Sequence, residues 1–293
     1  MLVPRPGRSA WSPRPSSLRE TASGQPRGWV LRQPQSRNRV LWVLLAAVPA
    51  VFIVFATALA PGSRVRLTLE ENGRQVSKVV NLAFGAGIHP AFMAPMVIAS
   101  LATLAGMFII LDSRSADQRL VLAGERPGPL LAGRFTLVAV AALLATGVSL
   151  AVTATVASVG QWGGYIAASA ILALTYAVIG FILAPLFGRV AGVLIAFVVP
   201  FLDLGIAQDP MLDPAPPTWA HFLPGYGGSQ VLTNAILSNG FGQGSLLLTA
   251  LAWLAGATGV AALLFRHNMQ TALGARPRAP GCSVPAPRKR QAA

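Results

Sequence analysis

The sequence predicts an all-α integral membrane protein, and three observations carry the prediction. Six runs of residues are apolar over about the length of a bilayer crossing. The 23 Lys and Arg and the 9 Asp and Glu stay out of the middle of every run. The basic residues are also divided unequally among the segments between the runs, which gives each run a direction. A hydrocarbon layer roughly 30 Å thick needs about 20 apolar residues of helix, at about 1.5 Å per residue. Val40 to Ala60, Ala91 to Leu111, Phe135 to Val156, Tyr165 to Leu186 and Leu246 to Phe265 meet that requirement. Val190 to Leu204 is shorter and ends in Pro200 and Asp203, so it is counted as an irregular fifth crossing.

Orientation follows from charge, because Lys and Arg beside a span resist translocation far more than acids do. Eight arginines precede the first run, four lie between the second and third, Arg189 separates the fourth and fifth, and six basic residues follow the sixth. These segments are assigned to the cytoplasm, so both ends of the chain are expected inside. The connector from Ala157 to Gly164 is uncharged, and the segment before the last run carries Asp203, Asp209 and Asp213 without Lys or Arg; both are placed outside. Arg64, Arg66, Arg74 and Lys78 sit in the external loop 61–90 beside Glu70 and Glu71 and weaken the pattern slightly.

The net charge of +14 is thereby explained as orientation signal, with attraction to anionic lipid on the cytoplasmic leaflet, and nucleic acid is not an expected partner. One cysteine, Cys282, excludes an intramolecular disulfide and argues against a thiolate metal site. Residues 1–38 are rich in Pro, Arg and Ser and contain no apolar stretch. They are expected to be a disordered basic cytoplasmic segment, not a signal peptide, with the first run as an uncleaved anchor. Residues 269–293 are expected to form a disordered basic tail, leaving 39–268 as the membrane domain.

Three connecting segments have their own character. In the external loop, Val65, Leu67 and Leu69 alternate with polar residues, Asn72-Gly73 follows, and Val76 leads into Val79 and Val80. Asn-Gly between such runs predicts a hairpin, since both residues accept the positive φ of a type I′ turn. The segment 112–134 mixes charges with Leu120-Val121-Leu122, a pattern that fits either a short helix lying against another protein, ended by Gly124 and Pro127, or a solvated connector. The segment 205–244 holds Pro210, Pro214, Pro216, Pro217 and Pro224 yet also Trp219, Leu223 and Val231. It is too apolar for a free loop and predicts re-entrant short helices, with Ser229 to Leu237 the main helical piece; an external loop packed on the helix ends is the alternative.

This order of spans and segments resembles the permease subunit of type-2 ABC transporters. Two stretches carry the resemblance at the level of residues. Gly124-Glu125-Arg126-Pro127 to Leu130-Leu131-Ala132-Gly133-Arg134 is similar to the family's text before the third span. Pro217-Thr218-Trp219 and Phe222-Leu223-Pro224-Gly225 are similar to its segment before the last helix. The resemblance implies an exporter of the cell membrane of a bacterium, with six transmembrane helices and both termini cytoplasmic. It also implies a coupling loop at 112–134 that docks on an ATP-binding subunit. Leu120, Val121 and Leu122 would supply the buried contact, while Asp117, Arg119, Glu125 and Arg126 would set its register. Asp203, Pro217, Trp219, Leu223 and Pro224 become candidates for an external gate.

The chain contains no G-x-x-x-x-G-K-[ST] loop, so ATP and Mg are expected on a partner and no cofactor on this chain, which is not itself expected to be an enzyme. Two ATP-binding subunits and a second permease, identical or related, complete the expected assembly. Small residues four apart supply close helix contacts: Ala102 and Gly106, Ala252 and Gly256, Ala255 and Gly259, and Ala257 and Ala261. Thr146, Ser149, Thr153, Thr155, Ser169, Thr175 and Tyr176 suit an amphiphilic, drug-like or lipid-like cargo. An ion-coupled secondary carrier and a non-transport membrane scaffold are the alternatives. The first is disfavoured because no ionisable group lies inside the runs; Asp203 and His221 sit at their external edge.

Overall fold

The computed structural model describes residues 64–71, 74–81, 88–210, 216–237 and 244–274. The expected first crossing at 40–60, the segment 1–38 and residues 275–293 lie outside the described residues. Arg64–Glu71 (β1) pairs antiparallel with Arg74–Asn81 (β2). Glu71 stands opposite Arg74, so two residues separate the strands, as the Asn72-Gly73 signal predicts.

All other described elements are helical. His89–Leu122 forms α1, Pro127–Val156 α2, Trp162–Leu202 α3, Tyr226–Leu237 α4 and Gly244–Gly274 α5. A π-helical turn, Asp203–Ala207, extends α3, and a 3-10 turn covers Thr218–Phe222. Among the described residues, four helices are long and apolar enough to cross a membrane: α1, α2, the run Trp162–Ala207, and Gly244–Thr271 within α5. The buried residues of α2 (Val138, Ala141, Ala142, Ala145, Thr146, Ser149, Thr153) recur every three or four positions, the spacing of one helix face.

The expected crossings 165–186 and 190–204 are two limbs of α3, joined without a loop. Gly188 alone breaks the helix, at φ 68° and ψ −163°. The Tyr176 hydroxyl donates to Asp203 Oδ2, 27 residues away in sequence. An unbroken helix would hold the two roughly 40 Å apart, so the chain reverses at Gly188 and the limbs lie antiparallel. Only a residue without Cβ enters that backbone region cheaply.

Against this hairpin packs α1, the most enclosed helix. A Cβ on Gly106 would collide with the Ala177 carbonyl, and one on Gly180 with the Thr103 carbonyl. The two glycines therefore let α1 and the first limb of α3 touch backbone to backbone. The small pair Ala102 and Gly106 thus serves contact within one chain. In α5, Ala257 and Ala261 are buried, whereas Ala252, Ala255, Gly256 and Gly259 are exposed.

Two apolar clusters fill the interior. One, toward Gly124 and Gly188, centres on Phe181, which stacks on Phe135 at 5.0 Å between ring centroids and lies 6.1 Å from Phe265. The other, toward His89 and Asp203, gathers Tyr165, Leu172, Tyr176, Leu204, Val231 and Leu232. These ends are called the tip and the cap below.

Two expectations about boundaries are corrected. The segment 112–134 is not a loop carrying a separate helix: α1 continues through Leu122, only residues 123–126 turn, and α2 starts at Pro127. Nothing from Asp112 to Leu122 is Gly or Pro, so the helix has no reason to stop where the apolar run does. The tail expected from residue 269 is likewise helical to Gly274, with Met269 buried on the core face.

Candidate functional site

Each end of the bundle is organised around one buried aspartate. At the tip, α1 ends in a Schellman cap: the Glu125 N–H bonds the Leu120 carbonyl and the Gly124 N–H bonds the Val121 carbonyl, both at 3.0 Å. Gly124 supplies the left-handed residue, at φ 100°. Pro127 opens α2, where its missing N–H leaves no helical bond unmade. The turn between the helices is therefore short and conformationally fixed.

Asp117, 1% exposed, faces inward from α1 and meets Arg134 of α2. Arg134 Nη2 lies 2.6 Å from Oδ1 and Nε 3.0 Å from Oδ2, a two-pronged ion pair across the hairpin. Val121 is buried in the core and Leu120 packs against it. Of the seven residues expected to touch a partner, Arg119, Leu122, Glu125 and Arg126 are exposed, and Asp117, Leu120 and Val121 are engaged within the chain. Arg134, unassigned from sequence, is the missing member. Its signal is the one that any enclosed carboxylate gives, a basic residue within reach on the next helix. Asp112 and Arg189 add an exposed pair at 3.4 Å, and Arg189 lies over the Phe108 ring at 5.7 Å, which fastens the Gly188 turn to α1.

At the cap, Asp203 is 4% exposed and has no cation beside it among the described residues. Its carboxylate accepts from the Tyr176 hydroxyl, from the Gln208 side-chain amide and, at 3.0 Å, from the Gly225 N–H. Gln208 in turn accepts from Ser229 Oγ. A Cβ on Gly225 would lie 3.0 Å from both Asp203 Oδ2 and the Tyr176 oxygen, so glycine lets the backbone reach the carboxylate. Both limbs of α3, the turn after them and the start of α4 meet at this one side chain.

The short helices sit firmly on that cage. Residues 231–237 of α4 are all buried, and its Ala235 and Ile236 carbonyls accept from the Gln161 and Gly160 N–H groups of the α2–α3 connector. Gly227 lies against the α5 backbone at Leu246 and Ala250, and Gly228 against Leu172. The helical piece expected at Ser229–Leu237 is α4, begun three residues earlier. Of the gate candidates, only Asp203 joins the network. Pro217 begins the 3-10 turn, Trp219 is 58% exposed on it, Leu223 ends it, and Pro224 precedes α4. His221 is exposed, its ring 4.4 Å from that of Tyr226. Tyr176, Gln208, Gly225 and Ser229 were not legible as a site, since three lie in apolar or Gly-rich text without charge.

Of the hydroxyls expected to suit a cargo, Thr146, Ser149, Thr153, Ser169, Thr175 and Tyr176 are buried. Thr146, Thr153 and Thr175 donate to the carbonyl four residues earlier at 2.8 Å, and Thr155 is exposed. No family model, curated protein or solved structure matches this chain.

Proposed function

We propose that the chain is the membrane permease subunit of an ABC exporter, driven by a separate ATP-binding subunit and moving an amphiphilic cargo across a bacterial cell membrane. The observation that carries this reading is the tip. A helix that outlasts its apolar run, a cap at Gly124 and the Asp117–Arg134 pair make the end of α1 and the start of α2 one rigid projection. A push on such a projection tilts both helices as a body, which is how closure of two ATPase subunits would drive alternating access. The docking surface is then Arg119, Leu122, Glu125 and Arg126, while Asp117 and Val121 stiffen it from behind. The six-crossing topology is supported by the four long apolar helices, the reversal at Gly188 and the apolar run at 40–60. Most of the hydroxyls expected to suit a cargo are buried among the described residues, so in this reading the cargo path belongs between this chain and a second permease, with the α4 cap at its outer end.

Cysteine crosslinking tests the reading. With Cys282→Ala as background, Leu122→Cys is expected to crosslink, in native membranes, to a protein carrying a G-x-x-x-x-G-K-[ST] loop. Gly160→Cys, at the opposite end, is expected to react only with external reagents. Labelling of position 122 from outside, or insertion without any such crosslink, would remove the coupling role. Uncoupler-sensitive transport without an ATPase would favour the secondary carrier.

A further inference from the structure

The outer end of α1 carries a polar contact that neither aspartate site uses. Pro95 lies inside the helix, where it has no N–H to give the carbonyl four residues back and its ring crowds that carbonyl. The orphan belongs to Ala91, and both residues are buried. An unmet carbonyl is expensive in an interior without water. Here the Tyr165 hydroxyl of α3 donates to it at 2.8 Å. Tyr165 is itself fully enclosed and held: its ring meets Trp162 edge-on at 5.8 Å, and its N–H bonds the carbonyl of Gln161, whose own N–H is tied to Ala235 of α4. Pro185 and Pro200 free the Phe181 and Ala196 carbonyls of α3 in the same way, yet no side chain among the described residues donates to either.

Beyond the proline α1 is gripped a second time, at Thr103 and Gly106, where it meets the first limb of α3 backbone to backbone. The first limb of α3 therefore lies across the break like a splint, fixed to α1 on both sides of Pro95. The inner grip is close packing of main chains, and the outer one turns on a single hydroxyl. We propose that Pro95 is a hinge in α1 and that the bond from Tyr165 to Ala91 is the latch that holds it shut. With the latch broken, residues 89–94 swing as a flap and the rest of α1 stays on α3. The flap has something to cover. Phe92 borders a narrow cleft whose other wall is Gln208, Ser229 and Thr233, and Thr233 is only 8% exposed there. Opening the flap bares the Gln208 and Ser229 arm of the Asp203 cage. The latch does not depend on the ABC reading; in the proposed exporter it would let α1 bend at its outer end while the tip stays rigid.

The test uses the full chain with Cys282→Ala, purified in detergent, and Thr233→Cys as the reporter of the cleft. Tyr165→Phe removes the latch while keeping the ring. It should raise the rate at which a charged methanethiosulfonate modifies position 233 about tenfold, the population shift that loss of a hydrogen bond of about 1.4 kcal/mol sustains. Adding Pro95→Ala restores an N–H for the Ala91 carbonyl, so the double variant should fall back to the parent rate. Melting temperature is the second reading: Tyr165→Phe should lower it, and Pro95→Ala should return most of the loss. An unchanged rate in Tyr165→Phe would overturn the latch. So would a double variant as reactive as Tyr165→Phe, or less stable than it, because the hydroxyl would then serve some contact other than the carbonyl that the proline orphans.

Discussion

The tip and the cap solve one problem in opposite ways. Each encloses an aspartate in apolar protein, where an unanswered carboxylate is expensive. At the tip the answer is a single cation, Arg134, on the next helix in sequence. At the cap it is a set of neutral donors: Tyr176, Gln208 and the Gly225 backbone, drawn from separate segments. An ion pair joins two elements strongly and leaves the rest of the surface free for docking. A neutral cage joins several elements, each weakly, and pins a segment that would otherwise be a Pro-rich loop. In the proposed exporter the first end would act as a lever and the second as a plug.

The contrast is broken most severely by leaving Asp117 without its partner. Arg134→Met is expected to destabilise the protein by about 3–5 kcal/mol, whereas Asp117→Leu with Arg134→Met should recover most of the loss, as buried pairs replaced by packed apolar groups do. Thermal unfolding of the purified variants in detergent measures both. A double variant no better than the single one would mean that the pair specifies the hairpin beyond its charge balance.

At the cap, Asp203→Asn should cost less, about 1–3 kcal/mol, because one acceptor oxygen is replaced by an amide that faces other donors. Hydrogen exchange should rise in residues 203–210 and 226–230 and stay unchanged around Arg134. Exchange spreading to the tip would erase the distinction between the ends. The smallest effect belongs to Gly124→Ala, about 1 kcal/mol for a Cβ in a left-handed position with open space around it. Its main readout is weaker crosslinking from position 122, since the cap geometry aims that residue.

Much of this architecture was readable from residues alone, and the unread part has a physical reason. The apolar runs at 91–111, 135–156 and 246–265 fall inside α1, α2 and α5, because a 20-residue apolar stretch has few other solutions. Gly124 and Pro127 end and begin helices as their backbone preferences dictate. Composition says where lipid ends, however, and not where a helix ends, so α1 outruns its apolar run by more than two turns and the expected loop shrinks to residues 123–126. Asp117 and Val121 were read as outward for the same reason. A loop has no inner face, but a helix continuing from the core does. The cap was harder still. Tyr176, Asp203 and Gly225 come together only through the reversal at Gly188, and contacts that depend on a tertiary fold leave no local pattern.

That reversal has a mechanical corollary. With a solitary glycine as the whole bend, there is no slack cord between the paired rods of α3, and Arg189 fastens the bend to α1. Neither rod can piston past its twin, so any rigid-body motion of one must carry the other, and a distance probe fixed on either would register the same displacement.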